Sequence, residues 1–194
     1  MKVTDYWLED VKRVPAHDVG GTLAHPRVIV IHYTAGGSLS GAVATLTGSA
    51  DPKVSAHLII DKDGTVVQCV SFDRIAYHAG ASVWKGRAGV NTFGIGIELV
   101  NRGPMCVHVK GHTTAGAIVA SHKHGGPVME WDGYPEAQLA AAADVCKALI
   151  AAYGPIAIVG HDDIAPGRKV DPGPAFPASS FVARVFGGPT GACA

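Results

Sequence analysis

The chain has 194 residues, of which 47% are hydrophobic and 16% charged. That is enough for one domain around one core, and it lies far from the composition of disordered chains. Sixteen Lys and Arg balance sixteen Asp and Glu, and no dense basic run appears, so nothing in the totals favours nucleic acid or an anionic membrane as a partner.

In chain order, Met1 to Val14 is mixed and charged, with Asp5, Glu9, Asp10, Lys12 and Arg13. A secretory leader needs a basic start and an unbroken apolar run, and no later stretch is apolar enough to span a bilayer. A cytoplasmic protein with no membrane insertion is expected, unless something else carries it out. Arg27 to Tyr33 (RVIVIHY) reads as a buried strand ended by Gly36 and Gly37. Ser38 to Thr47 suits a short helix, with Ser38 or Ser40 as N-cap and Val43 and Leu46 facing inward. Ala56 to Val70 reads as a hairpin turning at Lys62-Asp63-Gly64.

Asn91 to Asn101 (NTFGIGIELVN) is a second buried strand. Ile95, Ile97 and Leu99 share one face, while Gly94, Gly96 and Glu98 share the other. The glycines are expected to leave open space in front of the carboxylate. Gly103 to Gly133 reads as an insertion carrying a small strand pair. Pro135 to Tyr153 is the clearest helix, with a stripe of Leu139, Ala143, Cys146, Leu149, Ile150 and Tyr153, stopped by Gly154 and Pro155. A strand from Ile156 to Val159 runs into Gly160 and His161. A short helix near Ser179 to Phe186 closes the domain, and residues 187–194 form a fraying tail. With no repeat and no linker, 1–194 reads as a single α/β domain, a central mixed β-sheet flanked by helices.

Cys69, Cys106, Cys146 and Cys193 show no C-x-x-C spacing, and reduced thiols are expected. Three other residues sit where strands end or just beyond: His32, His161 and Asp171. Two histidines and a carboxylate suffice as the protein ligands of a catalytic zinc, with a fourth position left for water. They lack helical spacing, so the fold itself must bring them together. The loop from Gly160 to Phe176 is rich in proline and glycine and stiff for that reason. It reads either as a scaffold presenting His161, Lys169 and Asp171, or as a surface connection with incidental charges. Glu98 reads as an active carboxylate or as a buried one paired with Arg or Lys. His122-Lys123-His124, with His108 and His112 nearby, reads as a second metal site or as an exposed loop. Trp84, Lys85 and Arg87 read as contacts for sugar and carboxylate, or as a surface loop with one anchoring aromatic.

Five segments, in order, carry a resemblance: VIVIHYTAGG (28–37), SAHLIIDKDGTVVQCV (55–70), AYHAG (76–80), NTFGIGIELVN (91–101) and GHDDIAPGRKVDPGPAF (160–176). Together, over about residues 27–186, the chain resembles the zinc amidases that include the AmpD-type anhydro-muropeptide amidases, the amidase lysozymes of some phages and the peptidoglycan recognition proteins. It looks most like the AmpD-type branch, because Asp171 stands where other branches often carry Cys. The resemblance implies one zinc per chain, held by His32, His161 and Asp171 in a cleft at one edge of the sheet. It implies Glu98 as general base and Lys169 as the oxyanion's partner. Some relatives place a catalytic tyrosine where this chain has Ala56, which leaves that role to Glu98. His57 and His78, on matching segments, read either as lining the substrate cleft or as core, hydrogen-bonded structural histidines, and Trp84 and Arg87 are expected at the substrate.

The implied reaction is hydrolysis of the amide bond between N-acetylmuramic acid and L-alanine, in peptidoglycan fragments or murein. Two settings compete: an enzyme of muropeptide recycling, or a phage lysin acting on intact wall. A binding module without catalysis is a third reading, disfavoured because all three ligand positions, Glu98 and Lys169 are present.

Overall fold

The computed structural model describes residues 1–111 and 113–187. Two short strands, β1 (Val3–Thr4) and β2 (Trp7–Leu8), precede β3 (Lys12–Arg13) and β4 (Val28–Tyr33). Helix α1 (Leu39–Thr47) leads to the hairpin β5 (Leu58–Ile60) and β6 (Val66–Gln68). A small hairpin, β7 (Val83–Trp84) and β8 (Arg87–Ala88), comes before β9 (Gly94–Leu99). Then follow β10 (Pro104–Val107), β11 (Ala117–Ala120), β12 (Met129–Asp132), α2 (Glu136–Tyr153), β13 (Ala157–Gly160), α3 (His161–Ile164) and α4 (Ala178–Phe186).

Six strands form the central sheet, in the order β13-β4-β9-β5-β6-β3. β4 is parallel to both neighbours, β13 and β9, and the β5–β6 pair is antiparallel, so the sheet is mixed. A strand covered on both faces reads as an unbroken apolar run, which explains VIVI at residues 28–31. Ile29, Ile31, Ile95, Ile97, Leu58 and Ile60 meet Ala142, Val145, Cys146 and Leu149 of α2 and Phe181 and Val185 of α4 in the main core. Each such buried aliphatic side chain contributes about 1.5–3 kcal/mol over its exposed state. On the opposite face, Ala42 and Leu46 of α1 pack on Ala56, Ile59, Val67 and Val100. There also, Val28 and Val30 pack on Ala79, Val90, Phe93 and Ile164.

The local signals act as the sequence predicts. Ser38 caps α1, its hydroxyl accepting from the Gly41 amide at 3.2 Å. Gly64 takes φ +90° in the β5–β6 turn, and Gly154 takes φ +84° after α2. Three details differ. Val43 is only partly buried, and Ala42 takes its inward place in α1. The buried side of α2 also includes Gln138 and Val145, because Gln138 donates to the carbonyls of Ile60 and Val100 at the ends of two strands. Residues 103–133 hold three strands rather than a pair, in the order β10-β12-β11. Cys69, Cys106 and Cys146 are free thiols. Cys193, the expected tail beyond residue 187, and His112 lie outside the described residues. No helix among the described residues is long and apolar enough to cross a membrane.

Candidate metal centre and catalytic cleft

Parallel pairing assembles the site at the carboxyl ends of the strands. β13 pairs Gly160 with Ile31 of β4, so the next residue, His161, arrives beside His32 and opens α3. β9 pairs Glu98 directly with His32. The loop after α3 returns Asp171, whose carbonyl accepts from the Asp162 amide at 2.8 Å. The cluster thus stands at the end of the edge strand β13 and its neighbour β4, where open α/β sheets place ligands.

The three donor atoms lie close together. His32 Nδ1 is 2.9 Å from His161 Nδ1 and 3.0 Å from Asp171 Oδ2, and His161 Nδ1 is 2.9 Å from the same oxygen. All three residues are buried, and among the described residues they form the one group whose atoms converge as metal ligands do.

The location of the protons shows what the cluster needs. His78 Nε2 faces the Gly94 carbonyl at 3.4 Å, and a carbonyl only accepts, so that nitrogen carries the proton. His78 Nδ1 is then an acceptor, and His32 Nε2, 3.0 Å away, donates to it. Burial holds His32 down at about 4 and His78 well below its ordinary value, so both rings are neutral and His32 Nδ1 is a bare lone pair. His161 Nε2 likewise donates to the Ala79 carbonyl at 3.1 Å, which turns Nδ1 toward His32 and Asp171. Burial pushes the Asp171 carboxyl up, yet the two histidines beside it outweigh this and hold it well below the usual range. Two ring nitrogens and a carboxylate oxygen thus converge within 3.0 Å of one another. Two imidazoles with one carboxylate form a donor set suited to zinc, with a fourth position left for water. The outward ring nitrogens are each fixed by a partner, as metal-binding histidines require.

The cluster floors a cleft of about 650 Å³, whose walls include Tyr33, Thr34, Gly37, Thr45, Leu46, Val54, Arg168, Lys169 and Val170. Glu98 also lines it, is 8% exposed, and its Oε2 finds no hydrogen-bond partner among the described residues. It is not the Arg- or Lys-paired carboxylate that the sequence left open. Burial and then the charge of Asp171 raise its pKa well above the ordinary value, against the pull of Lys169.

Several expectations need correction. The space over the glycines of β9 is filled: a Cβ at Gly96 would strike the His78 ring, and one at Gly94 would meet Val90 at 2.9 Å. Gly96 admits the His78 ring behind His32, and Gly94 admits Val90. His57 does not line the cleft. It is fully buried, its Nε2 donates to the Arg74 carbonyl and its Nδ1 accepts from the Gly96 amide, so it ties three segments together. Trp84 and Arg87 are not in the cleft wall either, because Lys85 stacks on Trp84 and Arg87 covers Phe93. His122 and His124 gather no second metal site with His108. They turn to Asp162 while His108 turns to Glu130, and His122 is buried rather than part of an exposed loop.

Three contributors were missed. Arg168 donates to the carbonyls of Ala79 and Ala81, fastening the Asp171 loop to the AYHAG segment. Asn91 Oδ1 accepts from the amides of His78 and Ala79. Tyr33 lies in the cleft wall, its phenol pushed up to about 12 by burial. Arg168 sits beside Lys169 in the quoted motif and was legible from that. Asn91 and Tyr33 carried no pattern of their own.

A mixed α/β sheet that gathers two histidines and an aspartate, all buried, at the floor of a cleft defines a candidate metal centre. The chain belongs to the N-acetylmuramoyl-L-alanine amidase family, whose profile matches residues 22–174. It is 36% identical over 195 residues to the 1,6-anhydro-N-acetylmuramyl-L-alanine amidase AmpD of Escherichia coli, covering 90% of this chain and 92% of that one. A crystal structure of a selenomethionine AmpD derivative superimposes with a TM-score of 0.72 at 33% identity, covering 95% of this chain and 99% of the other. The Escherichia coli amidase AmiD, solved with anhydro-N-acetylmuramic acid-L-Ala-D-γ-Glu-L-Lys, gives a TM-score of 0.66 at 34% identity over 83% of this chain and 58% of its own.

Proposed function

We propose that this chain is a zinc-dependent amidase of muropeptide recycling, which releases the peptide stem from 1,6-anhydro-N-acetylmuramic acid at the lactyl–L-alanine bond. The carrying observation is the convergence of the donor atoms of His32, His161 and Asp171 at the cleft floor. The anhydro sugar follows from the likeness to AmpD proteins over nine-tenths of the chain.

His32, His161 and Asp171 would hold the zinc. When bound, zinc lowers the pKa of water to about 7 and polarises the scissile carbonyl. Glu98 Oε2 takes the proton of the attacking water and hands it to the departing alanine nitrogen. Burial and the charge of Asp171 raise its pKa above the ordinary carboxylate value, which strengthens it as a base. Lys169, in the cleft wall and making no ion pair among the described residues, sets a positive charge beside the oxygen that becomes negative. His78 holds the His32 ring in place from behind.

Parallel digestion of a soluble anhydro-muropeptide and of intact sacculi tests the setting. A recycling enzyme cleaves the first far faster. Preference for sacculi would make the chain a lysin instead.

A further inference from the structure

Asp162 lies between the ligands His161 and Asp171 in sequence, and it is only 2% exposed. Every polar group it owns is engaged. Its amide donates to the Asp171 carbonyl at 2.8 Å. Its carboxylate accepts from His122 Nε2 at 3.0 Å and from Lys123 Nζ at 2.8 Å. Its carbonyl accepts from His124 Nε2 at 3.1 Å. The His124 amide donates to His122 Nδ1, which fixes the proton of His122 on Nε2, the atom that faces Asp162. Lys123 reaches on to Asp163, whose other oxygen accepts from the Gly160 amide at 2.7 Å.

The same stretch grips the far side of the ligand loop. The Tyr134 hydroxyl donates to the Pro172 carbonyl at 2.8 Å. The Trp131 ring, anchored by Nε1 to the Ala120 carbonyl, covers Gly173 so closely that a Cβ there would meet it at 2.7 Å. Gly160 has no room for a Cβ against Asp162 and Pro172. Both metal-ligand positions are thus braced from outside by residues 120–134, none of which lines the cleft.

We propose that residues 120–134 are a clamp that holds His161 and Asp171 in ligand geometry, with His122 and Lys123 as positioning residues acting through Asp162. This rests on the zinc reading of the site. Without the clamp, Asp162 is a buried carboxylate with lost partners, and the turn carrying His161 shifts to rehydrate it. A ligand pair held 2.9 Å apart loses its register for a modest shift of that kind.

The test is zinc affinity, by competition with a chromogenic chelator, set beside Tm. His122→Ala and Lys123→Met should weaken zinc binding about 10- to 100-fold. His122→Gln, whose amide can donate to the same oxygen, should recover most of the loss. Leu149→Ala, in α2 on the other face of the sheet, should lower Tm and keep wild-type zinc affinity. Lys123 is half-exposed, so its variant folds even if His122→Ala does not. Wild-type affinity in both clamp variants, or an equal loss in Leu149→Ala, overturns the clamp while leaving the zinc site standing. Failure of the wild type to take up zinc removes the metal reading and the clamp with it.

Discussion

His32 and Glu98 are register partners across the parallel β4–β9 ladder, so their side chains rise side by side on the face that also carries Gly94 and Gly96. A candidate ligand and a candidate base, far apart in sequence, are thereby set as neighbours by main-chain hydrogen bonds of the rigid sheet centre. Such placement fixes geometry better than a loop does.

Replacing Glu98 with Gln keeps size and removes the base. The variant should hold zinc normally and lose about 10²- to 10⁴-fold in kcat. Lys169→Ala should lose about 10²- to 10³-fold, again in kcat, because both groups act on charge present only in the transition state. Steady-state kinetics with metal analysis checks both. Wild-type turnover by a destabilised Glu98→Gln protein would remove Glu98 from the reaction.

Gly96→Ala should harm the site through His78, which lines the cleft beside His32. The added methyl collides with the His78 ring, which is pinned between His32 and Gly94. Overpacking of this kind costs about 1–3 kcal/mol. Thermal unfolding should show that loss, and zinc affinity should fall as His78 pushes on His32. A Tm and an affinity equal to wild type would mean that the ring has other room.

Acid should unfold the metal-free chain through its neutral histidines. His32 and His57 are held at about 4 by burial, below the ordinary 6.5, and His78 is lowered too. A depressed pKa gives stability that is complete above about 6.5 and drains as pH falls toward about 4, where the buried rings must charge. Glu98 has the opposite sign: its raised pKa contributes stability at low pH that is lost as pH rises through its folded value. Urea titrations across pH should therefore show stability dropping from pH 6.5 to 4 through the histidines, and Glu98→Gln, which removes the opposing slope, should steepen that drop. Zinc should leave in the same acid window, because its ligands must be deprotonated. A flat profile between pH 4 and 6.5 would contradict the neutral, buried rings.

Chelation should abolish turnover and leave the fold. The core of β4, β9, α2 and α4 is continuous and does not pass through the site. Circular dichroism should change little on metal removal, unlike that of a small domain that needs metal to fold.

β4, β9, β13, α1, α2 and the β5–β6 hairpin were legible because each carries a local signal, such as the apolar run at 28–31, the Ser38 cap, the Asp63-Gly64 turn and the Gly154 stop, whereas the two-residue strands β1, β2, β3, β7 and β8 are too short to carry one. His32, His161 and Asp171 were legible as strand-end residues in a stiff loop and by family likeness. The role of the glycines at 94 and 96 was not, since a missing Cβ reads as space whether or not another ring fills it. His57 looked like a cleft residue because it shares a motif, but its neighbours Arg74 and Gly96 are distant in sequence, and its hydrogen bonds exist only after folding. The histidines at 122 and 124 resisted reading for the same reason: their partner is Asp162, brought to them by the fold.

The most direct test titrates zinc into the metal-free protein while mass spectrometry follows peptide release from a soluble 1,6-anhydro-muropeptide. Cleavage should rise linearly and level off at one zinc per chain, giving the intact anhydro sugar and a peptide with a free L-alanine amino terminus. Full-rate cleavage by the metal-free chain, or none at one equivalent, would contradict a zinc amidase built on His32, His161 and Asp171.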